Sequence, residues 1–184
     1  SASRSLNLHT APNSRRLRVM LVCTSVRVGR ICRSRTSAHV SEGAVVESGT
    51  QLGSVEGPAR AILSAERVAL NVLGHLSGVA TATRVLVDAV EGTDATIIDT
   101  RKTTPGLRLL EKSAVRAGGG QNHRMGLYDA VLIKDNHVKA VGSPEEAVRS
   151  ARGHVNDGTK VEVEIEDLAD LESVIEAGAD IVML

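Results

Sequence analysis

The chain is 184 residues long, 42% apolar and 24% charged, with a formal net charge of zero. Its 18 Leu, 8 Ile and 24 Val are enough to build a core, which excludes a disordered tail, and the neutral balance argues against a dedicated polyanion binder. A single Tyr with no Phe or Trp excludes an aromatic stacking platform for single-stranded nucleic acid, and no apolar run approaches the roughly 18 residues of a membrane span.

Charge is unevenly placed along the chain. Up to Ser41 there are eight Arg, no Lys and no acid, whereas the remainder carries 14 basic and 22 acidic residues. Residues 1–35 form an Arg- and Ser-rich segment whose composition fits an organellar transit segment, a poorly ordered arm, or a stretch read from a wrong start or frame. Cys23 and Cys32 lie in it without metal-site spacing, and read as two reduced thiols of a cytoplasmic protein. From about Gly43 alternating apolar positions and turn residues give short strands. A long helical pattern follows over 58–90, with Pro58 in its first turn and an apolar face of Leu63, Val68, Leu70, Leu73, Leu76, Val79, Val85 and Leu86. Ser77 and Gly78 suggest a break into two helices.

Beyond the long helix a strand–helix rhythm sets in. Strands are expected at 95–99, 130–135, 160–165 and 180–184, and helices at 107–117, 144–152 and 167–177, the last closed by Gly178. This alternation predicts an α/β fold with a parallel sheet: a partial β/α barrel of about four strands, with a doubly wound sheet as the alternative. Residues 36–90 then read as part of an amino-terminal α/β sandwich domain with connecting helices, and 91–184 as the first half of the barrel.

Polar residues gather after the strands, where a barrel carries its chemistry. They include Asp99 to Arg108, the turn Gly118 to Arg124, Lys134 to His137, and Glu162 with Glu164 on one face of a strand. Guanidinium groups grip carboxylates or phosphates in pairs, Lys adds a compact charge, and three glycines let backbone amides approach an anion. The expected ligand is small and multiply anionic, and the carboxylates suggest a divalent metal or a developing cation.

The runs ERVALNVLGHLSGVATATR (66–84), DTRKTTPGLRLLEKSAVRAGGGQNHRMGLYDAVLIKDNHV (99–138) and VEVEIEDL (161–168) closely resemble the quinolinate phosphoribosyltransferases, also called nicotinate-nucleotide pyrophosphorylases (carboxylating). A paralogue associated with molybdenum transport shares part of the pattern and is the nearest rival. The resemblance implies that quinolinate and phosphoribosyl pyrophosphate, with Mg2+, give nicotinate mononucleotide, pyrophosphate and carbon dioxide in NAD biosynthesis. It implies that Arg101, His123 and Arg124 hold the two carboxylates of quinolinate with Lys134 beside them. Lys102 falls near the ribosyl phosphate and pyrophosphate, and Glu164 faces ribose and metal. Arg67 is implied to act across the interface of a homodimer or larger homo-oligomer. The catalytic assignments are thus Lys102, Lys134 and Glu164, with no nucleic-acid or membrane partner.

Three departures accompany the match. Residues 1–35 do not match, a second acid would fall one position beyond Leu184, and the remaining strands with their Gly-rich phosphate loops are missing. The expectation is a fragment that anchors substrate but turns over weakly or not at all; a non-catalytic assembly module is the alternative of a different class. His75, His137 and Tyr128 read as packing or loop residues, and Asp135 and Asn136 equally as shapers of the turn after their strand.

Overall fold

The computed structural model describes residues 34–184 in full, and before them the backbone of two strands, β1 (Ala2–Asn7) and β2 (Leu17–Val19). Both strands lie in the Arg- and Ser-rich segment; Cys23 and Cys32 lie outside the described residues. The chain divides into two compact units, Ser1–His123 and Arg124–Leu184.

In the first unit the sheet order is β1-β5-β3, all antiparallel, with β3 at Arg35–Ala38 and β5 at Gln51–Gly57. β2 pairs with β4 (Ala44–Val46). Val46 and Leu52 are buried here, with Val40 and Leu73 packed on them.

Pro58 ends β5 and starts α1 (Ala59–Ala89); its φ is −59°, and its carbonyl accepts from the N–H groups of Ala61 and Ile62. The expected break at Ser77 and Gly78 does not occur. Leu76, Ser77 and Ala80 are fully buried, and Leu76 and Ala80 pack against Ala114 of α2 (Arg108–Ala117). The hydroxyls of Thr81 and Thr83 bond back to the carbonyls of Ser77 and Val79. The expected apolar face is only partly covered: Leu70, Leu73, Leu76 and Val79 turn inward, whereas Leu63, Val68, Val85 and Leu86 are exposed.

The strand expected at 95–99 shrinks to one parallel bridge, Ile98 to Gln121. Its two hydrogen bonds run from Gln121 N to Ile97 O and from Asp99 N to Gln121 O, and they tie a turn, not a strand, to the chain before Asp99.

The second unit holds a parallel sheet in the sequential order β6-β7-β8, at Ala130–Ile133, Lys160–Glu164 and Ile181–Met183. Three parallel strands and the separate bridge therefore stand where about four strands were expected. The core is wholly aliphatic: Ile133, Val148, Val161, Val163, Ile165 and Val174 with Ala147. Helix α4 (Pro144–Arg152) starts as expected, because Ser143 Oγ accepts from Glu146 N at 3.2 Å and Pro144 opens the first turn. The helix expected at 167–177 divides into a 3-10 turn, Leu168–Asp170, and α5 (Leu171–Glu176). Asp167 caps the turn through Ala169 N, and Gly178 (φ +100°) ends α5.

One helix was not expected, α3 (Asp135–Val141) directly after β6. Asp135 and Asn136 thus belong to a first turn, and His137 supplies its cap, since the Lys134 N–H donates to His137 Nδ1 at 2.9 Å. Tyr128, expected in the core, is 82% exposed; its ring lies over Gly126, where a Cβ would come within 2.3 Å of it.

At the amino-terminal ends of β7 and β8 a charge cluster ties the unit together. Arg152 donates to Gly178 O at 2.7 Å, to Thr159 O at 2.9 Å and to the Asp180 carboxylate. Asp180 also accepts from Val161 N at 2.7 Å and Lys160 Nζ at 3.3 Å. These contacts, led by the Val161 N–H and then Arg152, lower the Asp180 carboxyl to about 2.

Candidate active site

Arg67, Arg101, Lys102 and His123 belong to the first unit, and Arg124, Lys134 and Glu164 to the second, so each set is built from its own surroundings.

In the first unit the chemistry gathers after Asp99. Arg101 is half-buried, and its Nε is buried without a hydrogen-bond partner among the described residues; Lys102 is exposed. Their loop is held from below. Lys102 N donates to Thr100 Oγ1 at 3.1 Å, and Arg108 donates to Thr103 Oγ1 and to the carbonyl of Arg101. Arg108 thereby braces the loop instead of standing as a solvated charge. Thr104 N donates to Glu111 Oε2 at 3.0 Å, while Glu111 Oε1 meets His75 Nε2 at 2.8 Å. Hydrogen bonding from Thr104, aided by His75, holds the Glu111 carboxyl below its ordinary value against the opposing effect of burial. A cavity of about 320 Å3 opens beside this loop, lined by Asp99, Lys102, Thr104 and Glu111 among others, within the size range of small-molecule sites.

Asp99 also organises the turn that carries His123. Its carboxylate accepts from His123 N at 2.9 Å, from Asn122 Nδ2 and from the ammonium of Lys112, which is fully buried. Lys112 escapes a reading of the sequence. Leu110, Ala114 and Ala117 form the apolar stripe of α2, and periodicity puts Lys112 off that stripe, in solvent. Only its pairing with Asp99 brings it inside.

The glycines before this turn serve packing more than anion contact. A Cβ on Gly118 would lie 2.5 Å from the Ala80 carbonyl oxygen and 2.7 Å from Thr83 Cβ, and Gly119 has φ +94°.

In the second unit β6 and β7 run in parallel with Ile133 beside Val163, which sets Lys134 next to Glu164 at the carboxyl ends. Lys134 Nζ donates to Glu164 Oε2 at 2.9 Å, and both side chains stay accessible. Glu162, two residues earlier on the same face, is buried. Arg124 donates to the carbonyl of Ala130 at 3.2 Å, and Asp129 gathers the N–H groups of Met125 and Gly126 in the intervening turn.

Arg67 is exposed on α1 and forms no ion pair among the described residues; Asp88 pairs with Arg84 instead. Among the described residues no group of three or more His, Cys, Asp or Glu side chains could hold a metal ion. Glu164, the expected metal-facing acid, is bonded to Lys134. No described helix is long and apolar enough to cross a membrane.

Comparison with known proteins gives a consistent result. The family model for the carboxyl-terminal domain of quinolinate phosphoribosyl transferase matches residues 79–184, and that for the amino-terminal domain matches residues 17–77. The latter begins inside the Arg- and Ser-rich segment. A probable nicotinate-nucleotide pyrophosphorylase (carboxylating) of Bacillus subtilis is 51% identical over 145 residues, covering 79% of this chain and 50% of that one. The nicotinate-nucleotide pyrophosphorylase (carboxylating) of Mycobacterium leprae is 49% identical, covering 82% of this chain and 52% of that one. Among solved structures, NadC from Streptococcus pyogenes superposes with a TM-score of 0.76 at 45% identity, over 83% of this chain and 54% of that one. The chain spans about half the length of the curated relatives it matches.

Proposed function

The chain belongs to the quinolinate phosphoribosyl transferase family, and on that premise we propose that it serves the decarboxylating transfer of a phosphoribosyl group to quinolinate. The observation that carries the reading is Asp99: one carboxylate fixes the turn bearing His123 to the loop from which Arg101 and Lys102 leave.

The chemistry follows from where charge develops. The pyridine nitrogen attacks C1 of phosphoribosyl pyrophosphate, the C1–O bond breaks, and pyrophosphate leaves with the electron pair. The ribosyl centre is cation-like during this step, and Glu164 is the carboxylate proposed to face it. The ring, now a pyridinium, loses its adjacent carboxylate as carbon dioxide; the electron pair stays on the ring carbon beside the positive nitrogen and then takes a proton, giving nicotinate mononucleotide. Arg101, His123, Arg124 and Lys134 are proposed to hold the two carboxylates, and Lys102 the phosphates. The number of cations so assigned would exceed what a single carboxylate needs, which favours quinolinate over nicotinate. Mg2+ is proposed only as a companion of the substrate's phosphates, because magnesium is commonly held by few carboxylates and many phosphate or water oxygens.

We also propose a homodimer or larger homo-oligomer in the cytoplasm, with Arg67 reaching across the interface. Exposed Leu63 and Val68 on either side of Arg67 support that face of α1 as a contact surface.

Calorimetric binding of quinolinate, with nicotinate as comparison, tests the reading without requiring turnover. Quinolinate should bind more tightly, and Arg101→Ala should lower its affinity by about ten- to a hundred-fold, the size of a lost charge-assisted hydrogen bond. A folded chain that binds no quinolinate would overturn the proposal.

A further inference from the structure

The ion pair between Asp99 and Lys112 is placed oddly for a stabilising device. Lys112 is fully buried on α2, and buried pairs exchanged for apolar residues of similar volume often leave stability unchanged or improved. Stability alone therefore gives little reason for this one. Its remaining hydrogen bonds point elsewhere. Asp99 Oδ1 accepts from His123 N at 2.9 Å, and Lys112 Nζ donates to His123 O at 2.9 Å. Each member of the pair thus takes one backbone polar group of the same residue. Asn122 completes the arrangement by donating to Asp99 Oδ2 and, at 2.8 Å, to Lys112 O, and its own Oδ1 accepts from Arg116.

With its N–H and C=O both engaged, His123 has its φ and ψ fixed from two sides. The direction of its Cα–Cβ bond, from which the imidazole projects, is set with them. The charges matter as well. Asp99 and Lys112 both line the cavity beside Lys102, where a bare carboxylate would repel an anionic ligand and the paired ammonium neutralises it.

We propose that Asp99 and Lys112 are positioning residues that clamp the backbone of His123, so that recognition of a dicarboxylate depends on an ion pair acting through His123. The inference rests on the reading under Proposed function and names a device within it.

The test uses the full chain with Asp99→Asn, which is isosteric but sets an amide N–H against donors, and Arg116→Ala, an exposed change that loosens Asn122 without burying an unpaired charge. Two quantities are read: exchange of the His123 amide hydrogen by NMR, and calorimetric affinity for quinolinate and nicotinate. Asp99→Asn should speed His123 amide exchange and weaken quinolinate by about ten-fold or more, with a smaller loss for nicotinate, which needs fewer anchors. Arg116→Ala should shift both in the same direction by about three-fold. If Asp99→Asn fails to fold, Arg116→Ala decides. Quinolinate affinity unchanged while the His123 amide responds would reduce the clamp to architecture and overturn the proposal. Absence of quinolinate binding by the unsubstituted, folded chain would instead overturn the functional reading, and the clamp with it, before any variant is compared.

Discussion

Asp180 shows what a single side chain contributes and when. Its carboxyl is lowered from 3.8 to about 2 by Val161 N–H, Arg152 and Lys160, so its contribution is complete above pH 3.8 and is lost as pH falls toward about 2. Asp180→Asn should therefore be less stable than the unsubstituted chain at neutral pH, and the gap between their denaturant midpoints should close across that acid window. A gap that persists at the lower end would contradict the assignment. Residues at the opposite end of the sheet were legible for a different reason. Lys134 and Glu164 each stand at the end of a recognisable strand, and a parallel register brings the two together. Lys112 and Glu111 were not legible as partners, because each faces a loop whose path no periodicity describes.

Helices and strands with strong local signals lie where the sequence puts them, and the departures have physical causes. Helix α4 carries a Ser cap, a first-turn Pro and a following Gly, and its bounds match expectation. Ser77 and Gly78 read as a break, yet tertiary packing overrides that weak signal, since Leu76 and the small Ala80 pack against Ala114 of α2 and Ser77 is fully buried. Helix α3 was missed because its cap comes from His137, outside the usual set of capping residues. The same small-residue contact makes a prediction. Gly118 has an ordinary helical φ, so only space demands glycine there, and the nearest obstacle to a Cβ is the backbone oxygen of Ala80. Gly118→Ala should cost about 1–3 kcal/mol, the usual range for overpacking. A thermal unfolding midpoint equal to that of the unsubstituted chain would show that α1 and the turn can move apart freely.

Across the whole molecule, the α/β class and the parallel sheet follow from strand–helix alternation, whereas the short first bridge does not. Ile98 finds only Gln121 as a ladder partner, a pairing that depends on where a turn lies. The second unit separates its tasks by sheet end: the cluster of Arg152, Lys160 and Asp180 sits where β7 and β8 begin, and the pair of Lys134 and Glu164 where β6 and β7 finish. The hydrophobic clusters of each unit are aliphatic throughout, which has an optical consequence. The only aromatic residue, Tyr128, is 82% exposed in the turn after Arg124, so no ring is transferred from an apolar interior to water when the chain unfolds. Tyrosine emission should stay nearly flat through a denaturant titration in which circular dichroism collapses; a coincident change in both would show the ring to be buried. A tryptophan introduced at any core position would accordingly report on a background empty of other indoles.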